Sequence, residues 1–112
     1  MPAEFEITVN TGEPVRFRLQ SAAGEVLLIS RPLASIVEAL RAVAHFKRVC
    51  VDARRYCEDH LENGSWTFTV VASDGTMLAQ SLPFYSENMM RDNIVLTQRD
   101  APNARLRPGT IA

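Results

Sequence analysis

Apolar and polar side chains alternate over residues 5–9, where Phe5, Ile7 and Val9 are separated by Glu6 and Thr8. A period of two places the apolar set on one face of a strand. Residues 15–20 repeat the pattern more cleanly, with Val15, Phe17 and Leu19 interleaved by Arg16, Arg18 and Gln20. The first three are therefore assigned to the core and the two arginines to solvent. Between these strands, Thr11-Gly12-Glu13-Pro14 combines a residue that tolerates positive φ with one that cannot donate to a ladder, which predicts a turn. Ser21-Ala22-Ala23-Gly24 predicts a tight hairpin turn. The third strand, residues 25–30, is apolar nearly throughout and is closed by Pro32. The period then changes. Ile36, Ala39, Val43, Phe46 and Cys50 recur at spacings of three and four, the stripe of a helix pressed on a sheet. Ser35 followed by Glu38 is a capping box at its start. Arg41, Lys47 and Arg48 lie off the stripe, the last two where the helix dipole favours cations.

Past residue 55 the same events recur. Shifting the chain by 51 positions carries Phe5 to Tyr56, Phe17 to Phe68, Gly24 to Gly75, Ser30 to Ser81, Pro32 to Pro83, Ser35 to Ser86 and Val43 to Ile94 without a gap. A fixed period of this length marks an internal repeat. In the second copy Glu58, Asp59 and His60 blur the first strand, and Trp66, Phe68 and Val70 continue the buried face with Thr67 and Thr69 in place of the arginines. Asp74-Gly75 makes the hairpin turn in its stronger form. Ser86 opens a second helix whose face is Met90, Ile94, Thr97 and Ala101, and Pro102 ends it. A last short strand is predicted over residues 104–107, before a Pro/Gly tail at 107–112.

Each copy thus reads as three strands, a helix and a following strand. The fold class is α+β: a tandem duplication of a β3-α-β unit, with repeats at about 5–55 and 56–106. The two copies are expected to join in one antiparallel sheet with both helices on one face and an approximate two-fold axis between them. At 112 residues the chain is one domain's worth, and a shared core is favoured because about 50 residues alone make a marginal one. An apolar fraction of 46% and a charged fraction of 22% are those of a soluble globular chain. No apolar run is long enough to span a bilayer, and the first residues lack signal-peptide character, so a cytoplasmic location is expected. The net charge of −1 conceals an asymmetry. Residues 5–55 hold eight Lys/Arg and five Asp/Glu, whereas residues 56–106 hold three and seven. Either the halves attract weakly across their seam or the first presents a basic face to an anionic partner.

The opening Phe5-Glu6-Ile7, the VRFRL string at 15–19, the Ala-x-Gly turn, a strand ending in Ser30 and a helix starting at Ser35 together resemble the YegP-like family of small bacterial proteins. The resemblance runs from residue 5 to about 106. It implies a tandem β3-α-β repeat in which one sheet crosses both units and the C-terminal strands are exchanged, with single-unit members reaching the same arrangement as homodimers. It implies no activity. The departures lie in the helices, where Ala42-Val43 and Asn93-Ile94 stand for the usual Gly-Ile, and His45 and Leu96 for a small Ser.

Candidate chemistry is sparse. Cys57, Asp59 and His60 form the nearest approach to a catalytic cluster, but on a strand His60 points away from the other two, and a Cys-His dyad needs hydrogen-bond contact. No catalytic residue is assigned, and the chain is expected not to be an enzyme. His45 has no Cys, His or carboxylate at helical spacing, and Cys50 and Cys57 belong to no CxxC, so neither a metal nor a cofactor is expected. No phosphate-loop or dinucleotide motif occurs, and a pI near 6.1 argues against nucleic acid. The binding candidates are Arg48, Arg54, Arg99 and Arg105, since Arg48/Arg99 and Arg54/Arg105 recur at the repeat offset and arginine suits phosphate or carboxylate through paired contacts. Dipole compensation and a charged strand edge account for the same residues without a ligand. Two functions follow: a non-enzymatic interaction module meeting a protein partner through its open sheet face or edge, with Glu6, Thr8, Arg16, Arg18, Gln20, Thr67 and Thr69 on that face, or a binder of a small anion at the paired arginines. A monomer is expected, its two repeats acting as an internal dimer.

Overall fold

A computed structural model of the chain describes residues 2–107; of the tail expected at 107–112, residues 108–112 lie outside the described residues. The elements run β1 (Glu4–Thr8), β2 (Arg16–Gln20), β3 (Val26–Ser30), α1 (Ile36–Val49), a 3₁₀ turn (Ala53–Arg55), β4 (Tyr56–His60), β5 (Trp66–Val71), β6 (Met77–Ser81), α2 (Glu87–Asp100), a second 3₁₀ turn (Ala101–Asn103) and β7 (Arg105–Leu106). The strands form one seven-stranded sheet in the order β4-β5-β6-β3-β2-β1-β7. The sheet is mixed rather than purely antiparallel, because β7 lies parallel to β1, with Glu4 opposite Arg105 and Phe5 opposite Leu106. A strand returning from α2 to the far edge of the sheet arrives by a helical crossover, the connection that parallel pairing requires.

The alternation in β1 and β2 sets the inner face: Phe5, Ile7, Phe17 and Leu19 are buried. Val9 falls past the end of β1 and is exposed, so the predicted third member of that strand's stripe is not core. Arg16 and Arg18 lie on the opposite face as expected but are only half-exposed. Arg18 pairs with Glu6 across β1 and β2, and Arg16 donates to the carbonyl of Ser30 at 3.0 Å.

In β3 the near-continuous apolar run has a structural cause. Leu19 pairs with Leu28 but Gln20 with Val26, so Leu27 is an extra residue. The bulge turns Leu27 and Leu28 to the same side, and both are buried. β6 repeats it: Val70 pairs with Ala79 and Val71 with Met77, leaving Leu78 extra, and Leu78 and Ala79 are both buried. The turns that feed these bulges put Gly24 and Gly75 at φ of 88°, which a side chain would strain.

Beyond the bulges, two serines stand in for ladder groups. Ser30 Oγ accepts the N–H of Phe17 at 2.9 Å and donates to the Arg31 carbonyl at 2.8 Å. Ser81 Oγ accepts the N–H of Phe68 at 2.9 Å and donates to the Leu82 carbonyl at 3.0 Å. Both hydroxyls are buried. Ser30→Ala leaves a buried N–H without its acceptor, a loss of about 1–3 kcal/mol. The shift of the urea midpoint measures it; an unchanged midpoint would show that the N–H finds water instead.

β3 and β6 meet at the centre, with Leu28 opposite Ser81 and Ser30 opposite Ala79. Arg31 N–H donates to the Leu78 carbonyl at 3.0 Å across this seam. Above the inner face, α1 starts at Ser35, whose hydroxyl accepts the Glu38 N–H at 3.1 Å. The Glu38 carboxylate reaches back to the N–H of Ala34 at 2.8 Å, one residue before the cap. Ala39, Val43, Phe46 and Cys50 are buried as the stripe requires, with Ile36 partly so. Ser86 caps α2 through the Met89 N–H at 3.2 Å, and Met90, Ile94, Thr97 and Ala101 are buried. Thr97 satisfies its hydroxyl on the Asn93 carbonyl at 2.8 Å. The side chains from both helices and from the strands form a single apolar cluster.

The strand predicted after α1 is instead the Ala53–Arg55 turn. Asp52 caps that turn by accepting the Arg54 N–H at 2.9 Å, and the chain enters β4 directly. A segment that leads into a strand cannot also lie beside it in parallel.

Candidate functional site

Of the four candidate arginines, two are spent locally. Arg54 directs its fork at Asp52, with Nε and Nη2 each 3.1 Å from a carboxylate oxygen. That contact, reinforced by the Arg54 N–H, holds the Asp52 carboxyl down at about 2. Arg99 makes the same two-pronged contact with Asp100, at 2.9 and 3.2 Å. Arg105 stands exposed on β7 at the sheet edge. The offset pair Arg54/Arg105 therefore occupies a turn in one half and a strand in the other, and the structure does not bring the four into one site.

Arg48 is different. It opens onto a cleft of about 480 Å³ between α1 and the central strands. The floor is apolar, built from Phe17 of β2, Leu78 of β6 and Leu33 just past β3. Along one wall Arg41, His45 and Arg48 follow each other at spacings of four and three, a stripe neighbouring the core stripe of α1. Ala42 also lines the cleft. At the rim Arg31 approaches Glu38 at 3.8 Å, and Glu38 is already engaged at the helix start. Three guanidinium groups thus face a single carboxylate. Neither Arg41 nor Arg48 forms an ion pair among the described residues.

The β5–β6 turn closes in from the other half. Asp74 is held below the ordinary carboxylate range chiefly by the N–H and hydroxyl of Thr76, with a smaller contribution from His45. Leu78 comes from the second half of the chain and the rest of the lining from the first, so the cleft exists only in the folded whole. Arg31, Arg41 and His45 escaped the sequence reading as site residues. The four-and-three spacing of Arg41, His45 and Arg48 was visible, but not that it borders a void.

The cysteine cluster does not converge. Cys57 lies opposite Thr69 and His60 opposite Trp66 in the β4–β5 ladder, and His60 stacks on Trp66 with ring centres 4.0 Å apart and planes 7° apart. Cys50 is buried beneath α1, which pushes its thiol up to about 11. Its carbonyl accepts the Tyr56 hydroxyl at 2.7 Å. Among the described residues no three His, Cys, Asp or Glu side chains gather in a metal-ligating group, and no helix is long and apolar enough to cross a membrane.

No protein-family model matches the chain, and no curated protein matches it. Solved structures do. The solution structure of yegP from E. coli, a protein of unknown function, superposes with a TM-score of 0.87 over 96% of this chain and 92% of its own, at 20% identity. A UPF0339 protein from Shewanella oneidensis gives a TM-score of 0.86 over 95% and 91%, at 17% identity. Of the three α1 positions at which the chain departs from the YegP-like pattern, Ala42, Val43 and His45, the first and last line the cleft. An α+β chain with one mixed seven-stranded sheet and two helices, this protein has the fold of the YegP-like proteins.

Proposed function

We propose that this chain is a non-enzymatic binding module and that its ligand carries an anionic group and an apolar portion, seated in the cleft beside α1. One observation carries the reading: Arg41, His45 and Arg48 line one wall of a cavity whose floor is Phe17, Leu33 and Leu78. Guanidinium groups not committed to carboxylates hold phosphate or carboxylate through paired hydrogen bonds, and an apolar floor rewards a hydrocarbon or ring attached to it. The anion site suggested by the repeat is thereby moved: Arg48 is retained, and Arg54, Arg99 and Arg105 give way to Arg41, His45 and Arg31.

The architecture behind this reading is a tandem duplication with an approximate two-fold axis. It is supported by matched details 51 positions apart, namely Ser30 on Phe17 and Ser81 on Phe68, the bulges at Leu27 and Leu78, and the isolated bridges Val15–Leu33 and Trp66–Phe84. On this view the chain works as a cytoplasmic monomer whose halves take the place of two subunits. A non-catalytic role is supported by the separation of Cys57 from His60.

Phenyl phosphate, phenol and inorganic phosphate separate the parts of the proposal in a thermal-shift experiment. At a hundred times its Kd, a ligand bound only by the folded chain adds about 2.7 kcal/mol. Phenyl phosphate is expected to stabilise at lower concentration than phosphate, phenol to have no effect, and Arg41→Ala/Arg48→Ala to abolish the response. No shift with either anion, or an undiminished shift in the double variant, would remove the proposal.

A further inference from the structure

The two edges of the sheet are built alike but finished differently. At one edge β1 pairs with β2 in a register that sets Phe5 opposite Leu19 and Ile7 opposite Phe17. At the other, β4 pairs with β5 so that Tyr56 faces Val70 and Glu58 faces Phe68. These registers correspond residue for residue at the offset of 51. Outside β1 lies β7, parallel, with the Arg107 N–H donating to the Phe5 carbonyl at 2.7 Å. The Arg107 guanidinium completes the seat on Glu6 at 3.0 Å and Gln20 at 3.3 Å.

Outside β4 the described residues supply no strand. The residues that correspond to β7 by offset, Arg54 and Arg55, belong to the turn that runs straight into Tyr56. Main-chain groups two residues apart on a strand face the same way. The Tyr56 carbonyl, equivalent to that of Phe5, and the N–H and carbonyl of Glu58 therefore point away from β5 with no ladder partner. Such an edge invites pairing with another chain. Tyr56–His60 contains no proline, lysine or bulge, and its protection against self-pairing rests on its charges. Its charges are Glu58 and Asp59. Asp59 has no ion pair among the described residues, and Arg91, 3.6 Å from Glu58, lies closer to Glu87 at 2.9 Å.

From these observations we infer that the β4 edge receives an extended, arginine-bearing segment of a partner protein as an eighth strand, parallel to β4, in the seat equivalent to the one β7 fills on β1. The acidic pair selects the occupant. Two copies of this chain meeting β4 to β4 would set Glu58 and Asp59 of one against those of the other, which like-charge pairing penalises. The side chains of this seat differ from those on β1, since Glu4, Glu6 and Gln20 correspond to Arg55, Cys57 and Val71; a strand with arginines one step further along, beside Glu58 and Asp59, meets those carboxylates with opposite charge, and its main chain satisfies the open edge. This surface lies on the outer strand of the second half and shares no residue with the cleft.

The test is a titration of the full chain, labelled with nitrogen-15, by a ten-residue peptide alternating arginine with valine or leucine. Saturable shifts and slowed amide exchange are expected at residues 57–61, with the cleft residues of α1 unmoved. Glu58→Lys/Asp59→Lys, on exposed positions that leave the core resonances in place, is expected to weaken binding at least tenfold, and a peptide with glutamate for arginine is expected not to bind. Shifts confined to α1, equal binding of the acidic peptide, or a chain that dimerises through β4 in preference to taking the basic peptide would each overturn the inference.

Discussion

Phe46→Ala is expected to lower folding stability by about 3–5 kcal/mol, a large share of the 5–15 kcal/mol typical of a whole domain. Phe46 is fully buried and completes a triangle of rings. Its centre lies 5.9 Å from Phe5 and 5.6 Å from Phe17, with planes at 79° and 62°, and Phe5 and Phe17 are themselves 5.7 Å apart at 74°. Three edge-to-face contacts add to the area term, and removing the ring that comes from α1 opens a cavity between helix and sheet. The second half offers an internal control. The residue at the corresponding position is Thr97, and Phe68 there stacks on Phe84 at 6.3 Å instead of meeting a ring from α2. Thr97→Ala removes a hydroxyl that bonds only its own helix and one buried methyl, so a loss of about 1–2 kcal/mol is expected. Urea unfolding at constant m-value compares the two. A Phe46→Ala loss as small as that of Thr97→Ala would mean that α1 can settle onto the sheet without its aromatic anchor.

What could be read in the sequence is what depends on near neighbours. The alternation of Phe5/Ile7 and Phe17/Leu19, the spacing from Ala39 to Cys50 and the caps at Ser35 and Ser86 each encode an element within a few residues, and each element is present. Val9 and Val15 mark the limits of that reasoning. Alternation continues through them, but Val9 lies past the end of β1 and Val15 makes only an isolated bridge to Leu33. The failures are of a different kind. That β7 would lie parallel to β1 depends on a crossover spanning the molecule, and that residues 53–55 would not form a strand depends on Asp52 capping them. Arg54 and Arg99 are each matched by another arginine at the repeat offset, Arg105 and Arg48, but an offset carries no information about local partners. Asp52 and Asp100, within two residues of them, were already positioned to take the charge. The cleft was hidden for a geometric reason: its floor takes Leu78 from one half and Phe17 from the other, and no local pattern joins them.

The two halves also differ in how they treat charge, and the structure gives that difference a location. The basic excess of residues 5–55 includes the three arginines of the cleft, and the acidic excess of residues 56–106 includes the carboxylates of the open edge. A symmetrical pair of halves would present the same surface twice. Here Arg41 and Arg48 are answered at the offset by Asp92 and Arg99, and Ile7, buried in β1, by the exposed Glu58 of β4. The proposed anion cleft and the inferred strand-accepting edge thus fall in regions of opposite charge excess.

A fragment ending at residue 55 is expected not to fold as a monomer. Cut there, β3 loses β6, and with it the pairing of Leu28 and Ser30 and the bond from Arg31 to Leu78. β1 loses β7 and the Arg107 contacts. Beneath α1, the turn at Ala101–Asn103 withdraws, and with it the buried Ala101 and Ala104. A core of this size is marginal even when intact, and the cut exposes apolar surface along a full strand. The fragment alone should show narrow amide dispersion and no cooperative thermal transition. Mixed with residues 56–112 at millimolar concentration, it should recover the dispersed spectrum of the parent, because the seam is an interface whose two sides are both present. A monomeric fragment with dispersed amides and a sharp melt would show that the aromatic triangle is a core in its own right, and the single shared cluster would then be two.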